Sequence, residues 1–147
     1  DLPHAWTPWI RTCLVAADEI VVVATPDLSS LRNAKNLIEL LRHARPNDTP
    51  PRLVINQAGI PKRPEIPAKD FAETMGVEPS AVLPFDAAIF GQAGNNGQMV
   101  LEVAPKTPAS DNLRRLARTL TGREAASGGG EKSANSILSF LKNRKRA

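Results

Sequence analysis

The chain has 147 residues, 41% hydrophobic and 23% charged, which is enough apolar material for one core of moderate size. Its single cysteine, Cys13, excludes an internal disulfide and suits a reducing cytosol, and it has no run of about 18 apolar residues to span a bilayer. The formal charge is +4, but residues 1–126 carry 14 basic and 14 acidic side chains, so the excess lies in residues 127–147; a basic globular face for direct binding of nucleic acid is not expected.

Thr7-Pro8 marks a helix start, because Thr caps and Pro tolerates the first helical position. A helix with apolar positions three and four apart follows through Ala17. Ile20 to Thr25 is a β-branched run that does not alternate, so it is expected to be a strand buried on both faces. Leu28 to Ala44 carries the strongest helical pattern, with Leu31, Ala34, Leu37, Ile38 and Leu41 on one face and Asp27 or Ser29 as its cap.

After a polar loop over 46–51, Leu53 to Asn56 is a second buried strand. Residues 58–67 hold Gly59, Pro61, Pro64 and Pro67 and are expected to form a loop. Pro67 to Thr74 is a short helix with Gly76 at its C-cap. Ala81 to Pro84 is a third strand and Ala87 to Ala93 a short helix, ended by a turn at Gly94-Asn95-Asn96-Gly97. Ser110 is placed as the cap of a last helix reaching Leu120, stopped by Gly122. Strands alternating with helices through short loops predict an α/β fold with a parallel sheet and flanking helices. Three strands are few for such a sheet, and the chain opens on Asp1 directly before a helix, so a fragment truncated on its N-terminal side is expected.

Four segments in order carry a resemblance. They are Asp1-Leu2-Pro3; residues 17–34, with Ile20-Val21-Val22-Val23-Ala24-Thr25-Pro26-Asp27 at their centre; Leu53-Val54-Ile55-Asn56-Gln57; and Leu83-Pro84-Phe85-Asp86, followed by Ala93-Gly94-Asn95-Asn96-Gly97-Gln98 and the Ser110 helix. Together they resemble the second half of a ParA/MinD-type ATPase of the P-loop class, over roughly residues 1–123. Within that group the chain is most similar to the CpaE (TadZ) branch, which serves Flp/Tad-type pilus assembly, and Trp6-Thr7-Pro8-Trp9 favours that branch.

The resemblance implies ATP and magnesium as cofactors of a full-length protein. Asp1 would hold the magnesium-bound water, and Asn56, Pro84 and Asp86 would lie at the nucleotide. The chemistry agrees: strand ends at the carboxyl edge of an open α/β sheet are where ligands bind, and a side-chain amide offers adenine both a donor and an acceptor. Asn56 read without the resemblance simply ends a strand. Two features depart from the pattern. The Gly-rich loop with its Lys and Ser/Thr, which cradles phosphates, is not among the 147 residues. His4 stands where such proteins usually have Gly. No catalytic residue is therefore assigned in this chain, and it is expected to be inactive alone. His43, near a helix C-terminus, and Cys13, on a helix, are read as structural.

Residues 124–135 are rich in Ala, Ser and Gly and read as a flexible linker. In residues 136–147, placed on a helix, Ile137, Leu138, Phe140 and Leu141 cover an arc of about 160°, with Lys142, Arg144, Lys145 and Arg146 opposite or at its edges. This tail resembles the membrane-targeting helix of MinD and is expected to dock on an anionic membrane or a partner, or to remain a basic tail without one. The resemblance further implies a homodimer, contact with pilus secretion machinery, and a cytoplasmic location at the inner-membrane face or cell pole. Two other functions stay open: a fragment of an active ParA/MinD-type ATPase for DNA partition or division-site placement, and a scaffold that binds no nucleotide.

Overall fold

A computed structural model describes residues 2–3 and 6–122, and the described residues divide into two units, one up to Leu113 and one from Arg114. In the first unit three strands, β1 (Val21–Ala24), β2 (Arg52–Ala58) and β3 (Pro79–Pro84), form one parallel sheet in the order β1-β2-β3. The helices are α1 (Pro8–Ala16), α2 (Leu28–Ala44), α3 (Ala68–Met75), α4 (Ala87–Asn96), α5 (Val100–Val103) and α6 (Pro108–Leu120), the last spanning the division between the units. The expected α/β class with a parallel sheet is therefore the observed one.

The core lies on the face of the sheet that carries Val22, Ala24, Leu53 and Ile55, where Leu31, Ala34, Ile38 and Leu41 of α2 meet Phe71 and Met75 of α3. The helical stripe predicted for α2 is the buried one, as an amphipathic helix over a sheet requires. Asp27 caps this helix, accepting from the Ser30 amide at 2.9 Å, and Ser29 does not serve as its cap.

β1 departs from expectation. Its burial alternates: Val22 and Ala24 are buried, whereas Val21 is 37% and Val23 60% exposed. β1 is an edge strand, and the face bearing Val23 is open there, although its register partner Val54 on β2 is buried. Val23→Thr is accordingly expected to change the free energy of unfolding by less than about 0.5 kcal/mol. A urea titration giving a loss above about 1 kcal/mol would mean that this face is covered in solution.

Two further expectations are corrected and one helix is new. Gly94 to Asn96 is not a turn: α4 continues through Asn96 and ends at Gly97, whose φ of 62° and amide bonds to the Ala93 and Gly94 carbonyls close the helix. Ser110 is not a cap, because α6 starts at Pro108; the Ser110 side chain is fully buried and donates to the Ala104 carbonyl at 2.7 Å. The short helix α5 has no counterpart in the sequence reading. On the outer edge of β3, the Asn112 side chain donates to the Val82 carbonyl at 2.8 Å and so satisfies one edge acceptor.

Candidate functional site

In a parallel sheet all strands point the same way, so the segments after β1, β2 and β3 gather at one carboxyl edge. They are tied to each other by backbone bonds. The Ile66 amide donates to the Pro26 carbonyl at 2.9 Å, linking the segment after β2 to the end of β1, and the Phe85 amide donates to the Ala58 carbonyl at 2.8 Å, linking β3 to β2.

Asn56 and Pro84 are brought to this edge on neighbouring strands. The β2–β3 register slips between Ile55 and Ala58, which pair with Val82 and Pro84, so β2 carries one extra residue at Asn56-Gln57. Such a bulge re-aims a side chain. Gln57 takes a φ of 57°, a left-handed conformation uncommon for a residue with a Cβ. Asn56 Oδ1 accepts from the Gln57 amide at 2.9 Å. Its Nδ2 makes no hydrogen bond among the described residues, which leaves two donors at the bulge; β2 runs on to Ala58, so Asn56 does not end the strand as expected. Asp86 follows β3 and caps α4, with Oδ1 accepting from the Ile89 amide at 3.0 Å. Asp1 and the tail residues Ile137, Leu138, Phe140, Leu141, Lys142, Arg144, Lys145 and Arg146 lie outside the described residues.

Two polar networks stand at this edge, of which the sequence points only to the capping role of Asp27. At the end of β1, Asp27 accepts from the Thr25 hydroxyl and the Ser30 amide, and these bonds hold its carboxyl below the usual carboxylate range. After β2, Glu65 accepts from the Gly59 amide at 2.9 Å, the Ile60 amide at 3.0 Å and Arg63 Nη2 at 2.8 Å. The Gly59 amide first and Arg63 second keep its carboxyl low as well. Arg63 Nη2 also donates to the Gln57 carbonyl. The opposite charges two residues apart in Arg63-Pro64-Glu65 were the available signal, but in a loop with three prolines nothing local says which way they fold.

The Asn56 amide is the kind of group that pairs with a heterocycle edge. No phosphate cradle of loop amides with a lysine is present in the sequence, and among the described residues no group of three or more His, Cys, Asp or Glu could hold a metal. Among the described residues a shallow depression lined in part by Asp18, Glu19, Arg42, Arg45 and Asp48 lies at the amino ends of β1 and β2, away from this edge. Among the described residues no helix is long and apolar enough to cross a membrane.

No family model matches the chain. The septum site-determining protein MinD of Bacillus subtilis is 26% identical over 125 residues, which are 83% of this chain and 46% of that protein. MinD of Pyrococcus horikoshii, solved in complex with Mg-ADP, superposes with a TM-score of 0.70 at 20% identity over 82% of this chain and 48% of its own. The MinC:MinD cell division complex of Aquifex aeolicus gives a TM-score of 0.66 at 21% identity over 79% of this chain and 48% of the matched one. Over about four-fifths of its length, therefore, the chain has the parallel α/β fold of the MinD-type P-loop ATPases, and it spans about half the length of the proteins that share it.

Proposed function

We propose that the chain is the base-reading half of a MinD/ParA-like nucleotide-binding scaffold that places a pilus-assembly machine of the Flp/Tad kind, as CpaE (TadZ) proteins do. The observation that carries the nucleotide part of this reading is Asn56 Nδ2, which has no hydrogen-bond partner among the described residues, beside the Pro84 strand end at the carboxyl edge of a sheet shared with a MinD solved with Mg-ADP. Asn56 reads adenine, the backbone at Pro84 lines the base, and Asp86 shapes that wall by starting α4. Asp1 belongs to the magnesium-water position, and the phosphates are held by a loop that this chain does not supply. A MinD solved with MinC favours partners of protein nature. A homodimer, pilus secretion proteins and weak contact of the basic tail with an anionic membrane complete the proposal.

Calorimetry with ATP and magnesium tests it on the natural protein that contains this chain and on the 147-residue chain alone. The natural protein is expected to bind and this chain not to. Asn56→Ala in the natural protein is expected to weaken binding about three- to tenfold, the worth of one hydrogen bond. If neither binds, the nucleotide reading fails and the fold is a scaffold, since fold does not determine function. Deleting the protein should abolish Flp/Tad pili and leave division-site placement intact; the reverse outcome sinks the pilus assignment.

A further inference from the structure

We infer that Arg63 is a positioning residue for the base-reading edge: by holding the Gln57 carbonyl it keeps Gln57 left-handed and thereby aims the Asn56 amide. The inference rests on the proposal that Asn56 reads adenine, but its geometry stands apart from that reading.

The chain of contacts starts in the loop after β2. Pro64 restricts Arg63 to an extended backbone, and Lys62, with a φ of 62°, turns the chain back toward the strand. Glu65 then acts as the hub of the loop. Its carboxylate gathers the Gly59 and Ile60 amides and both Nε and Nη2 of Arg63, at 2.9, 3.0, 3.2 and 2.8 Å. With the guanidinium oriented in this way, Nη2 reaches the Gln57 carbonyl. Gln57 is thus held at both ends of its backbone, its amide by Asn56 Oδ1 at 2.9 Å and its carbonyl by Arg63.

That double hold falls on the one described residue of β2 with a positive φ, inside the bulge of the strand. A residue with a Cβ does not stay left-handed unless its surroundings over-determine it, and here the guanidinium is the group that does so. If Gln57 relaxed to an extended backbone, its amide would swing away from Asn56 Oδ1. The Asn56 side chain would then be free to rotate, and its Nδ2 donors would lose their fixed direction at the bulge. Arg suits the role because its planar fork serves a carboxylate and a carbonyl together, which a lysine ammonium does less well.

A loop-stabilising arginine would give the same contacts, so the test must separate the two roles. Glycine adopts the left-handed region without penalty, so Gln57→Gly removes the need for the clamp while restoring neither the ion pair nor the loop. The variants are Arg63→Met, Arg63→Lys and the double variant Arg63→Met with Gln57→Gly. In the natural protein that contains this chain, Arg63→Met is expected to weaken ATP binding about three- to tenfold, Arg63→Lys less, and the double variant to recover affinity to within about twofold. A double variant no better than Arg63→Met, or an Arg63→Met affinity equal to that of the parent, overturns the inference.

The second arm needs no nucleotide. In NMR spectra of the 147-residue chain, Arg63→Met should move the Gln57 backbone shifts toward extended values and merge the Asn56 side-chain amide resonances toward those of a free amide. Gln57→Gly should restore the Asn56 resonances. Unchanged Gln57 and Asn56 signals in Arg63→Met overturn the inference even where ATP binds. If the natural protein does not bind ATP yet these shifts appear and are rescued, the clamp stands and the adenine reading alone fails.

Discussion

Phe71→Ala is expected to cost about 3–5 kcal/mol of unfolding free energy, the range for emptying a buried aromatic site. Phe71 is fully buried and sits in the cluster formed by α2, α3 and the inner sheet face. Its helix is only 8 residues long and begins at Pro67 without a side-chain cap, so little of its stability comes from the helix itself. What holds α3 is burial of Phe71, Ala72 and Met75, together with the Arg42 bond to the Gly76 carbonyl at its C-terminus at 3.1 Å. Small domains are stable by about 5–15 kcal/mol, so this one truncation removes a large share. Urea unfolding followed by circular dichroism measures it. Phe71→Leu keeps most of the volume and should cost clearly less; a Phe71→Ala loss below about 1 kcal/mol would mean that the site collapses or is wet.

Asp27→Ala is expected to cost about 1–2 kcal/mol at neutral pH, as removal of a helix cap does. The carboxylate caps α2, at 17 residues the longest helix among the described residues, and also receives the Thr25 hydroxyl at the end of β1. The pH dependence follows from its depressed pKa, caused first by the Thr25 hydroxyl and then by the Ser30 amide. In the unfolded chain the group titrates near 3.8, and in the folded chain lower. Its contribution is therefore complete above the unfolded value and is lost as the pH falls through the folded one. Thermal unfolding at pH 7 and near pH 2.5 should show a gap between the parent and Asp27→Ala that narrows in acid. A gap of equal size at both pH values would sink the assignment. Asp27→Asn keeps an acceptor for the Ser30 amide and should cost less than alanine.

The same comparison of local and distant causes explains which parts of the fold were legible beforehand. The bounds of α2, Leu28 to Ala44, and its buried stripe follow from a helical period with polar residues between, and periodicity is a local property that survives folding. The apolar run of β2 and the Pro67 and Gly76 boundaries of α3 locate these elements to within a few residues. Gly94, Asn95, Asn96 and Gly97 each favour turns and so point to an early end of α4; the helix nevertheless continues, and Gly97 alone takes the left-handed cap. Ser caps well, which makes Ser110 a natural cap candidate, yet Pro108 starts the helix and the hydroxyl turns inward to Ala104. In β1 the unbroken run Val21-Val22-Val23 cannot say whether one face or both will be covered, since that depends on what lies across the sheet.

The amino-acid sequence by itself determined the α/β class, the order of strands and helices, and the arrival of Pro84 at a strand end, because all of these follow from hydrophobic pattern and turn residues read within one short window; Asn56, expected to end its strand, lies instead inside β2, which runs on to Ala58. Only the tertiary structure decided the open face at Val23, the bulge that makes Gln57 left-handed, and the assembly of Arg63, Glu65 and the Gln57 carbonyl into one network. Those features depend on register between strands and on the path of a proline-rich loop, and a register shift of one residue changes which face and which partner each side chain meets.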